Sequence, residues 1–163
     1  VSDGSDPVKS VRYGVLRSVL QSKVMETIRE QMGVAYSPSV YREQSNWLKD
    51  FGYINIMSNT SLKDIDKVEA VYQKIWQELQ KAPISQEELE RAKAPIIESM
   101  MQHHQYNQYW SNLASIAQSK SESVEHEALY IDALKSVTVE DVQRIAQSIS
   151  ADEYLLIRVV PKS

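Results

Sequence analysis

The sequence lacks cysteine and is poor in several residue types that mark common protein classes. Of its 163 residues, none is cysteine, four are glycine and three are histidine. The absence of cysteine excludes disulfide scaffolds, thiol catalysis and Cys-ligated zinc. The glycines at positions 4, 14, 33 and 52 form neither the G-x-x-x-x-G-K-S/T loop that holds phosphates nor the G-x-G-x-x-G loop of dinucleotide-binding domains.

Long hydrophobic runs and an excess of positive charge are also missing. No apolar stretch approaches the about 18 residues that suggest a membrane-spanning helix, and no signal-peptide pattern opens the sequence. The 18 Lys and Arg residues are outnumbered by 22 Asp and Glu, and they form no basic run. We therefore expect neither a membrane span nor nucleic-acid binding through phosphate contacts. The length and the 42% of apolar residues favour a single domain over 1–163, with about 8,000 Å² of folded surface.

The histidines by themselves indicate no catalytic centre. His103 and His104 are adjacent, so on a helix they point about 100° apart. His126 follows Glu122 by four residues, but one such pair in a charged segment is typical of solvated surface. Neither H-E-x-x-H nor H-x-x-E-H occurs, and no G-x-S-x-G elbow supplies a nucleophile. The residues alone thus predict no catalytic residue and no metal ligand in this chain.

Apolar periodicity predicts a helix-rich α+β domain. Apolar residues recur at steps of mostly three or four from Val8 to Met32, which predicts a long amphipathic helix opened by Asp6 and Pro7 and closed by Gly33. Further helices are predicted over 61–81, 85–105, 107–119, 122–135 and 138–148.

Local signals mark the ends of these later helices. Capping patterns begin at Ser61, Ser85 and Thr138, and Pro95 should kink or interrupt its helix. Aromatic side chains are expected in core or domain-interface packing at Tyr53, Tyr72, Tyr106, Tyr109 and Trp110. Trp47 is expected in a polar loop.

Three segments read as strands. Residues 34–42 and 51–57 suit an antiparallel hairpin, and the second has apolar groups on both faces, which favours a place inside a sheet. Residues 154–160 predict a closing strand. Three strands are few for so many helices, so either another strand is hidden or the chain begins downstream of one.

One string carries a family resemblance. Ile28-Arg29-Glu30-Gln31-Met32-Gly33-Val34-Ala35-Tyr36-Ser37 resembles the R-E-x-x-G-x-A-Y-S segment in the C-terminal half of the pitrilysin/insulinase zinc peptidases. Segments 3–6, 83–93 and 137–146 resemble, in the same order, that family's loop before the first helix, its inter-helix capping segment and the helix before its last strand.

The resemblance implies a fold and a partner. It implies a processing-peptidase-like half, with an antiparallel or mixed sheet backed by several helices, whose first strand precedes the loop at 3–6. The chain would then be a C-terminal substrate-binding module cut from a longer peptidase. Zinc would be held by an H-x-x-E-H helix in the N-terminal half, which would be this chain's partner along with a peptide or small protein substrate.

The resemblance also implies two site residues. Family members contribute an Arg and a Tyr seven residues apart to substrate binding, and these positions match Arg29 and Tyr36. A guanidinium or phenol can stabilise charge on the scissile carbonyl or hold the substrate backbone. Without the resemblance, Arg29 would be interpreted as an arginine that lays its stem over apolar surface, and Tyr36 as a packing residue.

Three functions therefore remain open. The chain is the non-metal half of a zinc endopeptidase and inactive alone, or a non-catalytic scaffold of the same fold, or an unrelated helix-rich interaction domain. The presence of both Arg29 and Tyr36 favours the first. By family analogy alone we expect a bacterial periplasm or cell envelope.

Overall fold

The computed structural model describes residues 6–33, 35–45, 48, 51–119, 122–150 and 154–161. In this part of the chain a two-stranded antiparallel sheet is combined with six α-helices, which confirms the α+β class. The elements, in chain order, are α1 (Pro7–Val24), a π-helical segment (Met25–Met32), β1 (Ala35–Gln44), β2 (Gly52–Thr60), a 3-10 turn (Leu62–Asp64), α2 (Ile65–Lys81), α3 (Gln86–His103), α4 (Asn107–Ala117), α5 (Glu122–Ser136) and α6 (Val139–Gln147).

The first helix begins and ends where the sequence predicts, but its last eight residues are wound differently. The Asp6 carboxylate accepts the Lys9 N–H at 3.0 Å, and Pro7 occupies the first turn, where its missing N–H is not needed. The π-helical segment then continues to Gly33, whose φ of 62° allows its N–H to reach the Ile28 carbonyl, five residues back.

The predicted hairpin is confirmed. β1 and β2 pair antiparallel from Ala35 opposite Thr60 to Gln44 opposite Gly52, with a register shift between Tyr36 and Ser39. Along β2, half-buried and exposed residues alternate, so the strand has one face against the helices and one face in solvent. Within the described residues β2 pairs with β1 alone, and the expectation that it lies inside a sheet is not met.

The predicted closing strand is wrong. Residues 154–160 have no strand pairing in the described structure, although their composition is β-branched and apolar. A segment becomes a strand only when a neighbouring strand satisfies its backbone N–H and C=O groups, and composition does not supply that neighbour.

The caps at Ser85 and Thr138 are confirmed as reciprocal capping boxes with Glu88 and Asp141. The signal at Ser61 acts differently, because its hydroxyl bonds the Asp64 carboxylate and a 3-10 turn precedes α2. All of these signals are local, so a few neighbouring residues decide where each helix starts.

Pro95 does not interrupt its helix, since α3 runs unbroken from Gln86 to His103. Proline cannot donate to the carbonyl four residues earlier, and its ring crowds that turn. Close by, the Ser18 hydroxyl of α1 donates to the Ala92 carbonyl at 2.9 Å. The carbonyl that Pro95 leaves without a helical donor is that of Arg91, so the Ser18 bond ties α3 to α1 and does not replace the missing one.

The core is built around α1, which packs against β1, α3, α5 and α6. Its fully buried residues include Leu16, Leu20 and Val24, and Ile54 and Ile56 of β2 pack against the same cluster. The chain nevertheless exposes 10,733 Å², against about 8,000 Å² expected for its mass. None of the described helices combines the length and apolar character needed to cross a membrane.

Candidate substrate-binding site

Arg29 lies on the π-helical segment with its side chain exposed. Its Nη1 is 3.8 Å from the Met25 sulfur, one turn earlier, and no carboxylate of the described residues forms an ion pair with it. The guanidinium thus reaches back toward its own helix. Because the side chain is exposed, other donors of the guanidinium are open to solvent.

Tyr36 occupies the second position of β1, opposite Asn59 of β2. Its side chain lies outside the described part of the structure. Only Gly33 and the two residues after it separate the π-helical segment from this strand position, so the two predicted site residues stand at one helix-to-strand junction. Their backbones are thus brought to the same end of the hairpin.

Two polar side chains of α1 fix the strand beside this junction, and sequence reasoning missed both. Gln21 accepts the Val40 N–H at 2.8 Å and donates to the Pro38 carbonyl at 3.1 Å, across the register shift of β1. Arg17 Nε donates to the Val40 carbonyl at 2.7 Å. The signal available in the sequence was their spacing of four residues, which places both on one face of α1.

Two of the three histidines, His103 and His104, lie beside aromatic rings. His104 Nε2 lies 2.8 Å from a Glu127 oxygen, and the Trp110 indole N–H donates to the His104 carbonyl. The Tyr109 ring is tilted against the His104 ring and edge-on to the Trp110 ring, and burial together with a hydrogen bond with Glu127 raises the pKa of its phenol. Among the residues that the structure describes, no three histidine, aspartate or glutamate side chains form a group that could hold a metal ion.

The aromatic residues expected in packing divide between surface and partial burial. Tyr53, Tyr106 and Trp110 are 49%, 64% and 47% exposed, so the prediction of core packing is wrong for them. Tyr72 is half-buried against the core and donates to Ser58 Oγ at 2.7 Å. A domain-interface role stays a prediction. Trp47, the Glu122 side chain and most of the loop at 3–6 lie outside the described residues.

A family comparison covers this junction. The family described as "Peptidase M16 inactive domain" matches residues 4–96, more than half of the chain, and this range contains Arg29, Gly33 and Tyr36. The chain belongs to the peptidase M16 family. The resemblance drawn from the residues 28–37 is thereby confirmed, and an unrelated interaction domain is excluded.

Solved structures of longer chains show the same fold. A conserved protein from Enterococcus faecalis V583 superposes with a TM-score of 0.76 at 16% identity, over 90% of this chain and 34% of that one. A protease from Helicobacter pylori superposes with a TM-score of 0.72 at 12% identity, over 91% of this chain and 36% of that one. The periplasmic protease PqqL from Escherichia coli superposes with a TM-score of 0.69 at 19% identity, over 86% of this chain and 15% of that one. At these identities the likeness concerns the fold.

This M16 domain thus spans about a third or less of the solved chains that it resembles. A comparison with curated proteins gives no match.

Proposed function

We propose that this domain is the non-metal half of a zinc metalloendopeptidase, where it closes over a peptide or small protein and positions it for hydrolysis. The observation that carries the proposal is the match to the M16 inactive domain across the junction that holds Arg29 and Tyr36. The exposed guanidinium of Arg29, without a carboxylate partner in the described structure, is consistent with a ligand-binding role.

Arg29 suits a carbonyl-binding role. A guanidinium is permanently charged and presents donors in a fixed fork, so it can bind a peptide carbonyl without competing protonation states. When the carbonyl oxygen gains charge during hydrolysis, such a contact strengthens. We assign Arg29 to binding the scissile carbonyl of the substrate or the substrate carbonyl next to it.

Tyr36 suits a complementary contact. A phenol donates one hydrogen bond and offers a ring face to a substrate side chain. The middle of β1 is held at Pro38 and Val40 by Gln21 and Arg17, which limits the freedom of the strand that carries Tyr36. We assign Tyr36 to positioning the substrate backbone.

The metal is assigned to the other half. Three histidines without cysteine, and no metal-holding group among the described residues, do not fit a zinc site in this chain. In the parent enzyme, zinc would supply the activated water. The contribution of this domain is limited to binding, orienting and enclosing the peptide, and alone it is expected to be inactive.

The test uses the longer natural polypeptide that contains this domain and a fluorogenic peptide mixture. Arg29→Ala and Tyr36→Phe should each lower kcat/KM about ten- to hundred-fold, while zinc content by atomic absorption stays unchanged. Arg29→Lys should recover part of the loss, since it keeps the charge but not the fork. Arg91→Ala and Tyr41→Phe, at exposed positions of α3 and β1, serve as matched controls.

Two outcomes would overturn the assignment. Unchanged kinetics in both site variants would return Arg29 and Tyr36 to packing roles. A parent polypeptide without peptidase activity or zinc would instead identify the domain as a non-catalytic scaffold of the same fold. We also propose a bacterial periplasm or cell envelope as its compartment, supported by the periplasmic M16 neighbour from Escherichia coli.

A further inference from the structure

The side of β2 that faces solvent carries a row of neutral side chains. Exposed and half-buried residues alternate along the strand, so every second residue lies on the open side of the hairpin. The Ser45 N–H donates to the Phe51 carbonyl at 2.9 Å and extends the strand pairing by one position. The row, here called the β2 row, consists of Phe51, Tyr53, Asn55, Met57 and Asn59.

Three large side chains make the β2 row apolar as well as neutral. Phe51, Tyr53 and Met57 are 53%, 49% and 50% exposed, and no charged residue occurs from 51 to 62. At about 200 Å² for a large side chain, they present roughly 300 Å² of mostly apolar surface. The solvent face of an antiparallel sheet is usually polar, and exposed apolar patches of this size are often functional.

The opposite side of β2 fixes the strand to the helices. Ile54 and Ile56 pack against the core, and Tyr72 of α2 donates to Ser58 Oγ at 2.7 Å. The backbone of β2 is also paired with β1. The β2 row therefore lies on a strand that is already held in place, and a ligand that binds it does not have to order the sheet first.

The β2 row leads to the helix-to-strand junction that carries Arg29 and Tyr36. Asn59, the last member of the row, is paired in register with Tyr36. At about 3.4 Å per residue, the row extends roughly 27 Å from that position to Phe51. A polypeptide bound at the junction can therefore continue along the row over about eight residues.

One carboxylate lies toward the far end of the row. Glu43 of β1 is exposed and stands opposite Tyr53, and cross-strand partners share one face of a sheet. Among the described residues, no Lys, Arg or His forms an ion pair with Glu43. Because the whole chain also carries a net charge of -4, this face favours a neutral peptide with a basic side chain near Glu43 and disfavours an acidic one.

We propose that the β2 row binds the part of the substrate next to the cleavage site as an extended, mostly uncharged peptide. Apolar or aromatic side chains alternate with polar ones in this peptide, because side chains on one face of an extended chain recur every about 6.8 Å, which is the spacing within the row. A basic side chain lies near Glu43, about six residues from the residue at the junction. The inference rests on the proposed function and adds to it a class of substrate and a surface that binds it.

Peptide binding without hydrolysis tests the proposal. The longer natural polypeptide is treated with EDTA, and its affinity for fluorescein-labelled peptides is measured by fluorescence anisotropy. The first probe is an acetylated and amidated peptide of about ten residues in which Leu and Ser alternate, and the second replaces each Leu by Ser. The wild type should bind the Leu peptide at least about ten-fold more tightly, and Tyr53→Ser combined with Met57→Ser should remove most of this difference.

The charge preference gives a second measurement. A Lys is placed at the first or at the last position of the Leu peptide, which also gives the direction of binding. In the order that binds better, Lys should be preferred over Glu about two- to five-fold. Glu43→Gln should abolish this preference and Glu43→Lys should reverse it. Glu87→Lys makes the same change of charge at an exposed position of α3 and should retain it.

Controls separate loss of the binding surface from loss of folding. Ile116→Ser and Leu129→Ser, at apolar positions of α4 and α5 that are 51% and 53% exposed, should leave the affinity for the Leu peptide unchanged. All variants should unfold at the temperature of the wild type, since none replaces a core residue.

The outcomes for the β2 row and for the proposed function are separable. Unchanged peptide affinity in the Tyr53 and Met57 variant, with an unchanged Lys preference in Glu43→Lys, would overturn the assignment of the row even where Arg29→Ala lowers kcat/KM. Self-association that the double substitution removes would identify a second copy as the occupant and would also overturn it. A polypeptide that hydrolyses no peptide would contradict the proposed function, and the anisotropy comparison, which needs no hydrolysis, would still decide whether the row binds peptide.

Discussion

Lys23 Nζ lies 2.5 Å from Glu88 Oε1 and joins α1 to the first turn of α3. The second oxygen of Glu88 accepts the Ser85 N–H at 2.8 Å and so completes the capping box. One carboxylate therefore caps α3 and ties it to the central helix. Neither partner of the ion pair is fully buried.

The Glu88 carboxylate should make the free energy of unfolding depend on pH in the acidic range. The hydrogen bond from Lys23 holds the pKa of Glu88 at about 2, below its ordinary value of 4.5. A lowered pKa in the folded state stabilises the protein above pH 4.5, and this contribution is lost as the pH falls toward 2. Glu88→Gln should cost about 1 kcal/mol of unfolding free energy at pH 7, because water screens the pair, and almost nothing near pH 2. Urea denaturation of the wild type and of Glu88→Gln between pH 2 and pH 7 measures this difference in unfolding free energy.

The neighbouring Glu87→Gln is the matched control for that experiment. Glu87 lies in the same first turn of α3 with an exposed side chain. Its replacement should change the pH dependence of stability by less than half as much. Equal pH profiles for the wild type and Glu88→Gln would show that the ion pair contributes nothing measurable.

Ser18→Ala should destabilise the fold by about 1–2 kcal/mol. The buried Ser18 hydroxyl donates to the Ala92 carbonyl, and its loss removes a buried hydrogen bond that joins α1 to α3. Ser22→Ala, on the same helix with an exposed side chain, should stay within about 0.5 kcal/mol. Chemical denaturation of both variants measures the two changes in unfolding free energy. Equal decreases would mean that the Ser18 hydrogen bond is dispensable.

Replacement of Gly14 and of Gly33 by alanine should change the stability of the fold in opposite directions. Gly14 is inside α1 with no heavy atom within 4 Å of the place a Cβ would occupy, so Gly14→Ala should stabilise by about 0.5–1 kcal/mol. Gly33 has φ of 62°, so Gly33→Ala should destabilise by about 1 kcal/mol. Thermal unfolding of the two variants shows both signs, and a stabilising Gly33→Ala would contradict the left-handed cap.

The 163-residue chain by itself should bind no zinc stoichiometrically. It has three histidines and no cysteine, and its described residues form no metal-holding group. Isothermal titration calorimetry with zinc chloride at pH 7 should give only weak, non-saturating heats. A saturable one-to-one site would contradict the assignment of the metal to another part of the enzyme.

Local sequence signals predicted most helix boundaries and the family. Features that depend on pairing between distant residues could not be predicted from them. The caps at Ser85 and Thr138 and the turn at Gly33 depend on neighbours within five residues, so they can be read from the sequence. The site residues Arg29 and Tyr36 came from a motif, and their roles stay predictions. Gln21 and Arg17, which hold β1, were missed because their partners are 17–23 residues away.

The sequence by itself determined the helices, the hairpin, the family and the lack of a histidine or cysteine set for zinc, because each follows from residue identity or short-range spacing. Tertiary structure alone decided that α3 passes through Pro95 and that residues 154–160 lie unpaired along α2. The first outcome depends on how α3 packs against the rest of the chain, and the second depends on whether a neighbouring strand is available. Neither can be read from the residues next to Pro95 or from those within 154–160.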